Sequence, residues 1–142
     1  MTQEPGALFA AAAAALVGVP FRLHGRNLDG VDCVGLVALA LGAIGRKPSV
    51  PVGYRLRALT LGPLLQFAER NGFVISPGAE RPGDLVLVHP CPLQAHLVIA
   101  SAQGGFVHAH AGLGRVIHEQ RHCPWPIAAR WRLNESPTSW QP

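Results

Sequence analysis

The chain has 142 residues, 49% of them hydrophobic and 14% charged, which excludes a disordered polypeptide and fits one globular domain. Its formal charge of +4 arises from eleven scattered arginines and Lys47 against eight acidic residues. There is no basic run and no aromatic-interleaved stripe, so nucleic acid is not an expected partner.

Residues 5–17 are rich in alanine and read as a helix, stopped by Gly18 and Pro20. The apolar run Leu8 to Val17 is not read as a secretion signal, because no positive charge precedes it and no cleavage pattern follows. No stretch of about 18 apolar residues is free of breakers, so no membrane span is expected. After Pro20-Phe21-Arg22 comes a polar, glycine-containing loop. Asp32-Cys33-Val34-Gly35-Leu36 then opens a second helix over 33–43, which ends near Gly42 and Gly45. A cysteine at a helix start sits at the positive end of the dipole, so a thiolate is expected at Cys33. Arg46 to Gly53 reads as a linker. Leu64 to Asn71 reads as a third helix, with Pro63 in its first turn and Gly72 as its cap.

The second half has the character of strands. Phe73–Ile75, Leu85–Val88, His96–Ser101, Gly105–His110, Arg115–Glu119 and Ala128–Leu133 are short and separated by turn residues. Helices followed by a strand meander predict an α+β fold, with N-terminal helices packed on a central antiparallel β-sheet of about five to six strands. Residues 1–133 are expected to form one domain, and 134–142 a tail in which Trp140 hints at a docking contact.

A nucleophilic cysteine needs an imidazole to take and return its proton, and a third group to fix that ring. The chain offers seven histidines: His24, His89, His96, His108, His110, His118 and His122. His96 opens a strand directly after the loop Pro90 to Ala95, where the backbone is held while the side chain meets a cleft. A solvated strand-end histidine is the other reading of it. His108 and His110 share one face of the next strand. Whether His96 lies on that face depends on the turn around Ala102-Gln103-Gly104. An odd-length loop pairs even-numbered with even-numbered residues, whereas a two-residue loop would bring Ala109 and Ala111 there instead. His110 competes with His108 for the third role.

Three cysteines without a C-x-x-C pair argue against a disulfide framework and a zinc finger. Cys91 and Cys123 stand beside prolines and read as loop cysteines. His108-Ala109-His110 has no matching carboxylate pattern, so no metal and no other cofactor is expected.

At these residues the chain resembles the NlpC/p60 family of papain-like cysteine peptidases. The resemblance is carried by Gly18-Val19-Pro20-Phe21, Asp32-Cys33-Val34-Gly35-Leu36, Pro82-Gly83-Asp84-Leu85, His96-Leu97-Val98-Ile99 and Phe106-Val107-His108-Ala109. These motifs stand in the family's order at compatible spacing over roughly residues 8 to 120. The resemblance implies Cys33 as nucleophile, His96 as base, His108 as orienting group and Asp32 as a holder of the substrate's free amine. It implies hydrolysis of bacterial peptidoglycan stem peptides, commonly at a γ-D-glutamyl-diaminopimelate bond. The stretch Gly62 to Arg70 between helix and sheet looks most like the phage-tail and gene-transfer-agent branch. That branch implies tail hub or tip proteins as partners, synthesis in the bacterial cytoplasm without a signal peptide, and action in the target cell's periplasm.

Two positions depart from the family. Phe21 replaces a tyrosine and Val34 a serine, so two hydroxyls are lost near the nucleophile, with His24 or Arg22 as nearby substitutes. A lost oxyanion donor is worth on the order of 3 kcal/mol in the barrier. Phe21, Val34 and His24 are therefore expected to border the substrate along with Asp32. The departures keep two alternatives open: a tail-tip structural subunit with a weak or inactive peptidase fold, and a papain-like amidase or acyltransferase on another substrate.

Overall fold

The computed structural model describes residues 4–51, 61–76 and 78–134. Residues 52–53 of the expected linker and all of the tail after Asn134, including Trp140, lie outside the described residues.

Helix α1 spans Pro5–Ala14, with Pro5 in the first turn, where its missing N–H is not needed. It buries Phe9, Ala10 and Ala13, and Phe9 meets Phe73 edge to face at 5.4 Å between ring centroids. The helix stops earlier than the expected residue 17, because the chain turns over 15–18 and Gly18 takes φ +99°.

The expected polar loop contains a small hairpin, β1 (Arg26–Asn27) and β2 (Gly30–Val31), joined by Leu28-Asp29. The Asp29 N–H donates to the Asn27 side chain at 2.9 Å, an Asx-type turn that fixes the hairpin. Its second strand delivers the chain to α2 (Cys33–Ala43). That helix is apolar nearly all round and buries eight of its eleven residues, as a central helix must. Gly35 is required there: a Cβ would fall on the Gly25 carbonyl. Helix α3 (Leu61–Arg70) is amphipathic, burying Leu64, Phe67 and Ala68, and it begins three residues before the expected Leu64.

Six further strands form one antiparallel sheet: β3 (Phe73–Ile75), β4 (Leu85–Cys91), β5 (Gln94–Ala100), β6 (Phe106–His110), β7 (Arg115–Glu119) and β8 (Ile127–Leu133). The fold is thus α+β, as expected. The order across the sheet is β3-β8-β4-β5-β6-β7, so the meander holds from β4 to β7 and then breaks. Strand β8 returns across the sheet and inserts between β3 and β4, with Leu85 opposite Trp131 and Phe73 opposite Leu133. Asp84, fully buried in the Pro82-Gly83-Asp84 turn, accepts two hydrogen bonds from the Arg132 guanidinium at 3.0 and 2.9 Å and so fastens this turn to β8.

Strand alternation sorts the sheet residues into two layers. Leu85, Leu87, Leu97, Ile99, Val107, Ala109 and Trp131 pack with the three helices in the main core. Val86, Val88, Val98 and Phe106 form a smaller cluster on the other face, against which Cys123 and Trp125 from the β7–β8 connection pack.

The end of β4 and the start of β5 differ from expectation by two or more residues, and both concern the site. Strands β4 and β5 are joined by only Pro92-Leu93, so Cys91 is a strand residue and His96 is the third residue of β5 rather than its first. The register slips between Val88 and Cys91, a bulge that accommodates Pro90, which cannot donate to the ladder.

Candidate active site

Cys33 is the first residue of α2 and is 2% exposed. Asp32 caps the helix: its carboxylate accepts from the Gly35 N–H at 2.8 Å and the His24 N–H at 2.9 Å, and lies 3.3 Å from the Arg26 guanidinium. These contacts enclose Asp32 completely.

The expected thiolate is not what this setting favours. Burial first, and then the neighbouring Asp32 charge, push the Cys33 thiol up to about 12, although the backbone N–H groups of Leu97, Val34 and Cys33 itself act the other way. Removal from water outweighs the helix end, and Cys33 rests as a thiol. The Leu97 contact also brings the sulfur beside β5, one residue from His96.

The turn between β5 and β6 has the odd length that the catalytic reading requires. Ala100 pairs with Phe106 and Ile99 with Val107, leaving five residues between, so even-numbered residues of both strands share a face. His96 Nε2 consequently lies 2.9 Å from His108 Nδ1. His108 is 2% exposed, and its Nε2 lies 2.7 Å from Glu119 Oε2 on β7. The second Glu119 oxygen accepts from Arg121 Nε at 2.8 Å. His110 is turned to other work: its Nδ1 accepts from the Leu113 N–H at 3.0 Å. Of the two candidates for the third role, His108 is the one hydrogen-bonded to His96.

Burial, with the nearby His108 and His110, pushes His96 down to about 3. Burial also lowers His108, against the opposing pull of Glu119. Both rings are neutral near pH 7. Burial alone would raise Glu119, but hydrogen bonds from His108 and Arg121 hold it below the usual carboxylate value.

Cys33, His96 and His108 line a single cavity of about 200 Å³, together with His110, Gln94, Phe21 and Trp125. Of the four residues expected to border substrate, only Phe21 lines this cavity. Val34 is fully buried in the core, Asp32 is consumed by the helix cap, and His24 is an exposed residue at φ 63° that is not part of the lining. Sequence reasoning missed Trp125 and Glu119. Trp125 stands edge-on to His96 and His108, at 6.1 and 5.6 Å between centroids. Nothing in the local sequence marks it, since it arrives from the connection that crosses the sheet. Glu119 was legible only as an alternating strand residue opposite Phe106. A larger cavity of about 430 Å³ lies between α1, β3 and β8, with no cysteine or histidine in its lining. Among the described residues no cluster of ligands could hold a metal ion, and no helix is long and apolar enough to cross a membrane.

Comparison with known proteins adds to this geometry. The sequence pattern of the NlpC/P60 family matches residues 18–128. No curated protein matches the chain. Among solved structures, NlpC1 from Trichomonas vaginalis is similar with a TM-score of 0.69 at 19% identity, over 93% of this chain and 45% of that one. The NlpC/p60 domain of the peptidoglycan hydrolase SagA is similar with a TM-score of 0.57 at 24% identity, over 82% of this chain and 90% of that one. RipD from Mycobacterium tuberculosis, described as a non-catalytic NlpC/p60 domain protein adapted to peptidoglycan binding, gives 0.58 at 17% identity, over 92% and 98%. The chain spans less than half the length of the two Trichomonas proteins it resembles. At these identities the likeness is one of fold.

Proposed function

The chain belongs to the NlpC/P60 family, and from that premise we propose that it is a cysteine peptidase acting on bacterial peptidoglycan stem peptides. The observation that carries this reading is the meeting of Cys33, His96 and His108 in one cavity, with the two rings 2.9 Å apart. In this mechanism neutral His96 takes the Cys33 proton as the sulfur attacks the scissile carbonyl. His96 then returns that proton to the leaving amine, a thioester remains on Cys33, and water activated by the same ring hydrolyses it. The first-turn N–H groups beside the sulfur are the available oxyanion donors, since Phe21 has no hydroxyl to offer.

In its finer form the proposal is cleavage at a γ-D-glutamyl-diaminopimelate type of bond. The setting we propose is the tail tip of a phage or gene transfer agent, with tail hub or tip proteins as partners. The protein would be made in the bacterial cytoplasm and act in the target cell's periplasm. The family motifs and the Gly62 to Arg70 stretch support that setting.

A second reading is a tail-tip structural subunit whose peptidase fold is idle. Phe21, Val34 and the strongly protonated Cys33 favour it. A third is an amidase or acyltransferase on another substrate, favoured by a cavity lining without Asp, Glu, Lys or Arg. Purified protein incubated with defined stem peptides, with products read by mass spectrometry, separates the first reading from the other two. Hydrolysis that disappears in Cys33→Ala is the expected result. No cleavage by the intact chain would sink the peptidase reading.

A further inference from the structure

Family resemblance assigns three residues to the site, yet the hydrogen-bonded chain does not end at the third. It runs from His96 Nε2 to His108 Nδ1 at 2.9 Å and on from His108 Nε2 to Glu119 Oε2 at 2.7 Å. A neutral imidazole carries one proton and one lone pair, and which nitrogen holds which is set by its partners. Within the pair of rings alone, either direction of donation is possible. One direction leaves Nδ1 of His96 bare; the other puts a proton there.

Glu119 removes the ambiguity. Its carboxylate only accepts, and Arg121 occupies its other oxygen at 2.8 Å. Neutral His108 must therefore donate from Nε2. Its Nδ1 is then a lone pair, and His96 must donate to it from its own Nε2. Nδ1 of His96 is left unprotonated, the state a general base needs. The opposite arrangement would set the His108 Nε2 lone pair against a carboxylate. Burial keeps both rings neutral, so a doubly protonated His108 does not offer a way around this.

We infer that Glu119 is a positioning residue of this site: through His108 it fixes the tautomer of His96 and so determines which ring nitrogen can accept the nucleophile's proton. The inference deepens the peptidase reading and rests on it for its catalytic meaning, but the tautomers can be measured without any activity.

Glu119→Gln is the decisive variant because it keeps the shape and reverses the chemistry. Arg121 claims the amide oxygen, so the amide NH₂ faces His108 Nε2 and presents a donor where the carboxylate presented an acceptor. Long-range ¹H–¹⁵N spectra of the full chain labelled in histidine report each ring's tautomer. In the unaltered protein both His96 and His108 should carry the proton on Nε2. In Glu119→Gln both should switch to Nδ1–H. Hydrolysis should lose kcat by on the order of a hundredfold with KM little changed, as when an acid–base group is held in the wrong tautomer. Arg121→Ala keeps the carboxylate and should leave both rings as they are.

Either ring carrying its proton on Nδ1 in the unaltered protein would overturn the inference, and that measurement needs no variant to fold. So would unchanged rings in Glu119→Gln, or an equal switch in Arg121→Ala, which would assign the effect to the lost ion pair. If the rings switch as expected while the intact chain cleaves no peptide, the positioning role stands and the peptidase reading falls.

Discussion

Cys33 is governed by two opposing influences. A helix N-terminus lowers a thiol by an amount worth about 0.3–1 kcal/mol. The rise from the ordinary 9.0 to about 12 corresponds to roughly 4 kcal/mol in the other direction, so burial decides. The consequence is measurable. Iodoacetamide near pH 7 should label exposed Cys91 first and Cys33 slowly, with Cys33 labelling still climbing above pH 9. Peptide mapping of the alkylated chain checks the order, and preferential labelling of Cys33 at neutral pH would contradict it. His96 and His108 extend the same theme, since their removal from water keeps them neutral and fit to pass a proton.

At the scale of the element, the site depends on how α2 begins. Asp32 holds the His24 and Gly35 N–H groups and meets Arg26, linking the helix start to the β1–β2 hairpin. The residue that resemblance assigned to the substrate is thus the one that caps the helix carrying Cys33. Asp32→Ala should lower stability by about 2–3 kcal/mol, the loss of a cap plus stranded donors. It should also lower the Cys33 pKa, because the Asp32 charge is among the causes that raise it. Denaturant titration and the pH dependence of alkylation test the two effects separately. Gly35→Ala, which drives a Cβ into the Gly25 carbonyl, should destabilise without the second effect.

For the whole molecule, the buried titratable groups give stability a bounded pH window. An unfolded imidazole binds a proton near 6.5 and folded His96 only near 3, so His96 favours the fold above the first value and loses that effect as pH falls toward the second. Glu119, held below its ordinary 4.5, likewise favours the fold above that value and loses its effect below it. Cys33 limits the alkaline side: the unfolded thiol ionises near 9 while the folded one keeps its proton to about 12, so stability falls above pH 9. The melting temperature should therefore form a dome with its plateau between about pH 6.5 and 9. His96→Gln should flatten the acid limb. A melting temperature that rose steadily from pH 7 to pH 5 would contradict the assignment.

Local chemistry is legible in the order of the residues. Helix α2 follows from a capping Asp32 before an apolar run, and the strands from short β-rich segments between turns. The ordered family motifs mark Cys33, His96 and His108, and strand parity specifies which turn length brings the two rings to one face. The remainder depends on packing between distant segments. The insertion of β8 between β3 and β4 is a long-range pairing that no local pattern encodes, and the same crossing connection brings Trp125 against the rings. The protonation of Cys33, the enclosure of Asp32 and the arrival of Glu119 at His108 depend on burial and on strand register. Those quantities exist only once distant segments have packed, so the residues were legible before the fold, while their charge states and partners were not.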